Sequence, residues 1–421
     1  MSLLSRRLFH GILKLGSGEV LTRLCGVAVL LILARRFGVV VVGVYALAQG
    51  MVQYSYPFID FGLRHVGARL IAQYPEASQE IVQQVQKRRI LMGSLILPFL
   101  LCYASLVNLP RDSKTFLFLF SAIGCLYALS LEWAAWGKEH LRMVGLTRAL
   151  VPGSVLLFLL LGWRSNHVLW WIILGNAVGY GMLAATFRQW WRRHKPRVEG
   201  QIPLAAIREN LAWRRTSVMG VAWFCNMAFA SVDMLMLGIM SNPRQVGLYS
   251  AAYRIMSQVL FTYYLLNSAL YPQLARQNKL QRLRMLRPRI LLAVAGMGVV
   301  IAGLVTLVRR PLVTILFGHE FLPATLLLML LVWAIPLDFL TSYLSNAYIA
   351  WGMEKKILIC TVIGAGSNVI LNFFSIPAYG ATAAAVNTLI SYVIFLASLA
   401  IAGRSAKELT IEPEQVAELI A

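Results

Sequence analysis

Charged residues are scarce in this chain of 421 residues, at 13% of the total. Soluble domains carry roughly 25%. Acids are scarcer than bases, with 17 Asp and Glu against 39 Lys and Arg. No long polar stretch interrupts the sequence, which excludes a sizeable appended soluble domain. The five cysteines (Cys25, Cys102, Cys125, Cys225 and Cys360) all lie in apolar runs, and none forms a CxxC pair. That excludes a disulfide framework and a thiolate metal centre, and the cysteines read as small buried hydrophobes. The six histidines are scattered, with no two at i,i+4, so no metal site is expected.

What the chain has instead is apolar surface. It is 59% hydrophobic, with a mean hydropathy of +0.68. A spanning helix needs roughly 20 mostly apolar residues. Twelve such stretches can be read, near 15–34, 42–61, 90–109, 115–136, 143–163, 168–187, 217–240, 246–270, 290–308, 324–349, 357–376 and 379–402. Arg6, Arg7 and Lys14 precede the first one. No small-residue cleavage site follows them, so this segment reads as a first span with a cytoplasmic start, not a signal peptide.

The net charge of +22 raises two readings, nucleic-acid binding and membrane topology. Its distribution decides for the second. With the N-terminus inside, 28 of the 39 basic residues fall in cytoplasmic segments, 8 in outer loops, and three (Arg23, Arg148, Arg254) within spans. This bias, with strict alternation, predicts twelve spans and both termini in the cytoplasm. No nucleic-acid partner is expected. The most basic connection, 188–216, falls between spans six and seven and is flanked by Trp190, Trp191 and Trp213. Its Arg192, Arg193, Lys195 and Arg197 either touch anionic headgroups or are ordinary positive-inside charge.

The chain also repeats itself. Val42-Gly43-Val44-Tyr45-Ala46-Leu47-Ala48 recurs as Val246-Gly247-Leu248-Tyr249-Ser250-Ala251-Ala252, an offset of 204 residues. A weaker echo links Gly137-Lys138-Glu139 with Gly352-Met353-Glu354. Six spans per half puts the copies in one orientation, related by an axis along the membrane normal. The expected fold is therefore an all-α integral membrane protein of two six-helix lobes. The N-terminal lobe covers 1–190, a basic linker 191–216, and the C-terminal lobe 217–421 with a short cytoplasmic tail. The lobes' chemistry is not duplicated: Arg23 aligns with Met227, and Asp233 with Val29.

Charge within a span costs at least about 2.5–3.5 kcal/mol at the bilayer centre, so each instance needs a reason. Arg23, Arg148 and Arg254 either contact an anionic substrate or pair with buried acids. Glu132 is a candidate partner for Arg148 and Asp338 for Arg254. Asp60 and Arg64 stand i,i+4 at the end of span two, suited to a local ion pair. The deeper carboxylates Asp233 and Asp338 are candidates for exchanging a proton or holding a cation.

The run Gly366-Ser367-Asn368-Val369-Ile370-Leu371-Asn372-Phe373-Phe374-Ser375-Ile376-Pro377-Ala378-Tyr379-Gly380-Ala381-Thr382-Ala383-Ala384-Ala385 resembles the eleventh-to-twelfth-helix signature of polysaccharide-biosynthesis flippases. So do Leu33-Ala34-Arg35-Arg36-Phe37-Gly38 with its Val-Gly-x-Tyr motif, and Ser231-Val232-Asp233-Met234-Leu235-Met236-Leu237-Gly238. The chain thus resembles the Wzx-type O-antigen and exopolysaccharide flippases, of the superfamily that includes the lipid II flippase and the multidrug and toxin extruders. The resemblance implies a V-shaped transporter with no covalent chemistry. It would move an undecaprenyl-diphosphate-linked oligosaccharide across a bacterial cytoplasmic (inner) membrane by alternating access. Membrane lipids and other polysaccharide assembly proteins would be its partners.

Further roles follow from the same resemblance. Arg23, 15 residues before Gly38, resembles a cavity arginine of the lipid II flippase, and Arg148 and Arg254 would join it around the diphosphate. Asp60-Phe61-Gly62-Leu63-Arg64 resembles an inner-gate motif, with Glu132 nearby. Asp233, Asn368, Asn372 and Thr388 resemble that flippase's sodium site, with Asn372 where a second carboxylate stands. No cofactor is expected, and the coupling ion is H+ or Na+. The competing reading is a multidrug or metabolite cation antiporter of the same superfamily, whose cavity should be acidic or aromatic. A membrane-embedded glycan polymerase or ligase would need a large outer loop, and the outer loops are short.

Overall fold

The computed structural model describes residues 3–194, 207, 209–275, 282 and 286–408. Among these the chain is helical, without strands. Hydrocarbon offers no hydrogen-bond partner, so the backbone must satisfy itself within helices. Half of the basic linker 191–216, including Lys195 and Arg197, and the tail beyond 408 lie outside the described residues.

The chain divides into two compact units, Met1–Met227 and Ala228–Ala421. The first contains α1 (Leu3–Asp60), α2 (Leu63–Gln73), α3 (Ser78–Leu95), α4 (Leu97–Leu106), α5 (Arg111–Gly124), α6 (Glu132–Gly137), α7 (Leu141–Thr147), α8 (Leu150–Leu161) and α9 (Val168–His194). Helix α10 (Trp213–Met240) runs into the second unit. That unit continues with α11 (Pro243–Ala275), α12 (Pro288–Phe317), α13 (Ala324–Val332), α14 (Ile335–Ala350) and α15 (Glu354–Glu408).

Eight helices among the described residues are long and apolar enough to cross a membrane, or nine if Gly220–Phe229 and Ser231–Met240 count as one. Two of the eight each contain two of the expected spans. The apolar part of α1, Gly18–Asp60, has 43 residues, and that of α15, Glu354–Gly403, has 50. At 1.5 Å per residue these would measure about 65 and 75 Å as straight rods, more than twice a ~30 Å hydrocarbon core. Neither is straight. Gly38 breaks α1 at φ 78°, ψ −176°, and Gly380 breaks α15 at φ 57°, ψ −135°. Both conformations are readily open only to glycine. The expected span 246–270 falls on α11, which is not among the eight. Gln245, Arg254, Gln258 and Asn267 lower its hydropathy.

Bulky apolar side chains stand outward. Leu307, Phe374 and Phe99 are 79%, 75% and 67% exposed, and only 11% of the apolar window of Pro288–Phe317 is buried. Such belts would aggregate a water-soluble protein. They make this a multi-pass membrane protein.

In lipid, helices gain little from apolar burial against each other, so close backbone approach through small residues replaces it. Helices α8 and α9 meet this way through Gly175 and Gly179. A methyl group on Gly175 would lie 2.8 Å from Val155 Cα, and one on Gly179 2.7 Å from Val151 Cα. Unit 2 also has polar links between helices. Asn267 Nδ2 donates to the Ser342 carbonyl at 3.0 Å, Asn346 Nδ2 to the Asn267 carbonyl at 2.7 Å, and Tyr263 Oη to the Phe339 carbonyl at 2.9 Å.

Gly179→Leu should separate α8 from α9 at an overpacking cost of about 1–3 kcal/mol, read as a lower melting temperature in detergent. Gly181→Leu, where an added Cβ meets nothing within 4 Å, should melt near the wild type. An equal loss in both variants would rule out the contact as the cause.

Candidate functional site

Two buried polar systems stand out, one in each unit. In unit 2, α10 carries Asp233 to a position where it is 2% exposed. The break at Gly380 folds α15 back on itself, so Asn368 and Asn372 on one arm face Asn387 and Thr388 on the other. Gln245 supports the break: its Oε1 accepts the backbone N–H of Ala381 at 2.8 Å.

Asp233 Oδ2 accepts from Tyr249 Oη at 2.7 Å and from Thr388 Oγ1 at 3.0 Å, and Oδ1 accepts from Asn372 Nδ2 at 2.5 Å. The Asn372 amide also donates to Asn368 Oδ1 at 2.9 Å, and its own Oδ1 accepts from Asn387 Nδ2 at 2.8 Å. None of these partners is charged. A dry carboxylate whose hydrogen-bond donors among the described residues are neutral makes a proton or a cation favourable beside it. The residues fit a hard cation in type, since carboxylate, hydroxyl and amide oxygens are its usual ligands. In this arrangement, however, the Asn372 amide turns its N–H2 toward Asp233, so cation binding requires that amide to rotate. Among the described residues no three His, Cys, Asp or Glu side chains come together.

The family resemblance placed Asp233, Asn368, Asn372 and Thr388 in one group, and the fold brings those four into a hydrogen-bonded cluster. It adds Tyr249 and Asn387. Tyr249 is the tyrosine of the second Val-Gly-x-Tyr copy, so the signal was in plain view as a mark of duplication. Its counterpart Tyr45 instead accepts from Gln49 Nε2 at 2.9 Å and packs edge-on against Phe120. Asp338 forms a separate centre. It accepts from Tyr392 Oη at 2.8 Å and Ser342 Oγ at 3.5 Å, and Tyr392 packs edge-on against Phe229. Arg254 lies on α11 of the same unit.

Unit 1 holds a chain of alternating charges. Arg23 Nε bonds Glu19 at 3.1 Å, and Arg148 reaches Glu19 at 3.6 Å. Arg148 also bonds Glu132 at 2.9 Å, and Arg64 bonds the same Glu132 oxygen at 3.2 Å. Arg23 and Arg148 are therefore joined through one acid, and the expected Arg148–Glu132 pair is present. Glu19, which sequence reasoning passed over, stands four residues before Arg23 on α1.

Glu132 and Arg148 are not central in their helices. They lie five and seven residues from the ends of the spans Arg111–Gly137 and Leu141–Leu161. That is about 8–10 Å at 1.5 Å per residue, short of the midplane of a ~30 Å core.

Asp60 and Arg64 do not share a helical face, because α1 ends at Asp60 and the chain turns through Phe61 (φ 33°) and Gly62 (φ 81°). Each takes another partner. Arg89 Nε bonds Asp60 at 2.8 Å, with both side chains at most 1% exposed. Arg89 also donates to the carbonyls of Ser130 at 2.5 Å and Tyr127 at 3.3 Å. Tyr127 Oη links the Asp60–Arg89 pair to the charge chain of the same unit, donating to Asp60 Oδ2 at 3.1 Å and accepting from Arg64 at 3.4 Å. Sequence reasoning counted Arg89 as loop charge, because nothing in its neighbourhood announces burial.

A family model described as "Polysaccharide biosynthesis protein" matches residues 8–277. No curated protein sequence matches the chain. Solved structures share its fold. The lipid II flippase MurJ in an inward closed conformation superposes at a TM-score of 0.72 with 13% identity, over 93% of this chain and 87% of that one. The MATE multidrug transporter DinF-BH in complex with R6G gives 0.67 and 14%, over 96% of each. A MOP superfamily transporter from Pyrococcus furiosus gives 0.54 and 13%, over 95% of each.

Asp60→Asn should destabilise the protein by about 3–5 kcal/mol, because it strands the buried Arg89 guanidinium. The double change Asp60→Leu, Arg89→Met should recover much of that loss in detergent melts. Equal losses in the single and double variants would show that pairing is not what the acid supplies.

Proposed function

We propose, because the chain belongs to the polysaccharide biosynthesis protein family, that it flips an undecaprenyl-diphosphate-linked oligosaccharide from the inner to the outer leaflet. It would do so in the bacterial cytoplasmic membrane, by alternating access and without a covalent step, for O-antigen or exopolysaccharide assembly. Twelve spans in two lobes, 1–190 and 217–421, joined by the basic linker 191–216, with both termini in the cytoplasm, complete the reading. The positive-inside count supports that topology, as do the breaks at Gly38 and Gly380.

The observation that carries the substrate class is the charge chain of unit 1. Arg23 and Arg148 on the spanning helices balance Glu19 and Glu132, and Arg64, on the short α2 just beyond α1, adds one positive charge to the chain. The Arg23 and Arg148 side chains keep 31% and 36% of their surface open. Arginine stays ionised and grips phosphate oxygens with a planar fork. A diphosphate reaching these groups from the cytoplasmic side would compete for them with Glu19 and Glu132, and exchange of partners is a means of coupling substrate to conformation. The gate residues Asp60, Arg64 and Glu132 stand next to that exchange. Arg254 would meet the anion later on its path.

Asp233 with Asn368, Asn372 and Thr388, assisted by Tyr249 and Asn387, is the proposed ion-coupling site, taking H+ or Na+, with Asp338 as a second carboxylate. The antiporter reading draws its support from this half, where carboxylates sit among tyrosines. The cation excess of unit 1 argues against it.

Deleting the gene should abolish a surface polysaccharide and trap lipid-linked units in the inner leaflet. An unchanged glycan profile with heightened dye sensitivity would favour the antiporter instead. Arg148→Ala should cut flipping about tenfold to a hundredfold, the worth of one charge-assisted contact of about 1.5–3 kcal/mol, while the protein still inserts. Asp233→Asn should uncouple transport from whichever gradient, proton or sodium, drives the wild type in vesicles.

A further inference from the structure

Neither polar system uses a cavity of about 260 Å3 in unit 1. Gln79 and Gln83 of α3 line one side of it, and Arg188, Trp191 and Arg192 of α9 the other, with Val82 and Leu131 completing the wall. Arg188 and Arg192 stand i,i+4 on one helical face, where like charges repel. Among the described residues neither forms an ion pair with an acid.

The C-terminal end of α9 accounts for part of this charge, since a helix C-terminus favours cations within its last turn. That turn contains Arg192, Arg193 and His194. It does not account for Arg188, which lies further in, or for the two glutamines facing the arginines. Trp191 is fixed as a wall. Lys138 Nζ lies 5.0 Å from its ring centroid and donates to the His194 carbonyl at 2.6 Å. Two tryptophans at a helix end mark the level of lipid headgroups, at the end where the charge count puts the cytoplasm.

We propose that this cavity binds the phosphate of an anionic membrane lipid. The two guanidinium groups fork its oxygens, the Gln79 and Gln83 amides bond hydroxyls of the headgroup, and Val82 and Leu131 meet the carbon next to the phosphate ester. Two lipids present this chemistry on the cytoplasmic face, an anionic phospholipid and the diphosphate of a polyprenyl carrier. The site stands apart from the charge chain, and its occupancy does not depend on the chain being a flippase.

The test is thermal unfolding of the full-length protein in neutral detergent. Phosphatidylglycerol, phosphatidylcholine and a prenyl diphosphate are titrated separately. Phosphatidylglycerol should raise the melting temperature, and phosphatidylcholine should not. Arg188→Gln with Arg192→Gln should weaken the apparent affinity at least about tenfold, the effect of losing roughly 1.4 kcal/mol. The control pair Arg309→Gln, Arg310→Gln removes the same charge elsewhere and should leave the affinity unchanged. Gln79→Trp fills the cavity while keeping both arginines, and should also abolish the shift if the double variant folds poorly. A shift with the prenyl diphosphate alone, lost in the same variants, supports the phosphate site and identifies the carrier lipid as its source. No shift with either lipid, or a shift that survives both cavity variants, overturns the proposal. Because nothing is transported in this assay, its failure would leave the flippase reading standing, and the converse also holds.

Discussion

A polar group in hydrocarbon must find its partner within the protein, and that requirement organises this molecule at every level. The backbone meets it by remaining helical, so the chain can turn only where a break is locally satisfied. Gly380 shows how this works. The break takes a backbone conformation suited to glycine, and the N–H of the next residue is recovered by Gln245 Oε1 at 2.8 Å. The consequence reaches beyond the turn. Only because α15 doubles back there can Asn372 and Thr388, sixteen positions apart in sequence, both bond Asp233.

The same requirement applies to charge, with two different solutions. Arg89 and Asp60 are sealed: at most 1% exposed, bidirectionally supported by Tyr127 and Ser130, and unable to leave without stranding each other. Glu19, Arg23 and Arg148 are paired but partly open. A sealed pair adds rigidity at the cost of desolvation. An open chain with one cation in excess retains the capacity to change partners. Structural and exchangeable charge thus sit side by side, bridged by the Tyr127 hydroxyl.

The chain repeats a short motif once in each unit, and the polar chemistry around the two copies differs. The two copies of Val-Gly-x-Tyr place a buried tyrosine in each unit. Tyr45 accepts from Gln49 on its own helix, whereas Tyr249 donates to a carboxylate that has Val29 as its counterpart. The motif tyrosine therefore has different partners in the two units. Unit 1 concentrates cations, and unit 2 isolates a carboxylate among neutral donors.

Hydrophobic length and charge asymmetry are local or additive properties, so the sequence by itself determined the membrane class and the positions of most spans, whereas the grouping of Asp233 with Asn368, Asn372 and Thr388 came from the family resemblance. The last pair of asparagines shares a helical face by spacing alone. Partner choice was another matter. Arg64 lies four residues from Asp60, yet a break at Phe61 and Gly62 turns it to Glu132 and leaves Asp60 to Arg89, 29 residues away. Spacing arguments assume an unbroken helix, and nothing in this stretch except a single glycine signals the break. Arg89 read as a loop charge because burial depends on what packs against a residue, and that is known only once distant helices are in place. The tertiary structure alone decided which charges are sealed, which are open, and which two arginines line a cavity, since each depends on distances across helices that sequence separation does not encode.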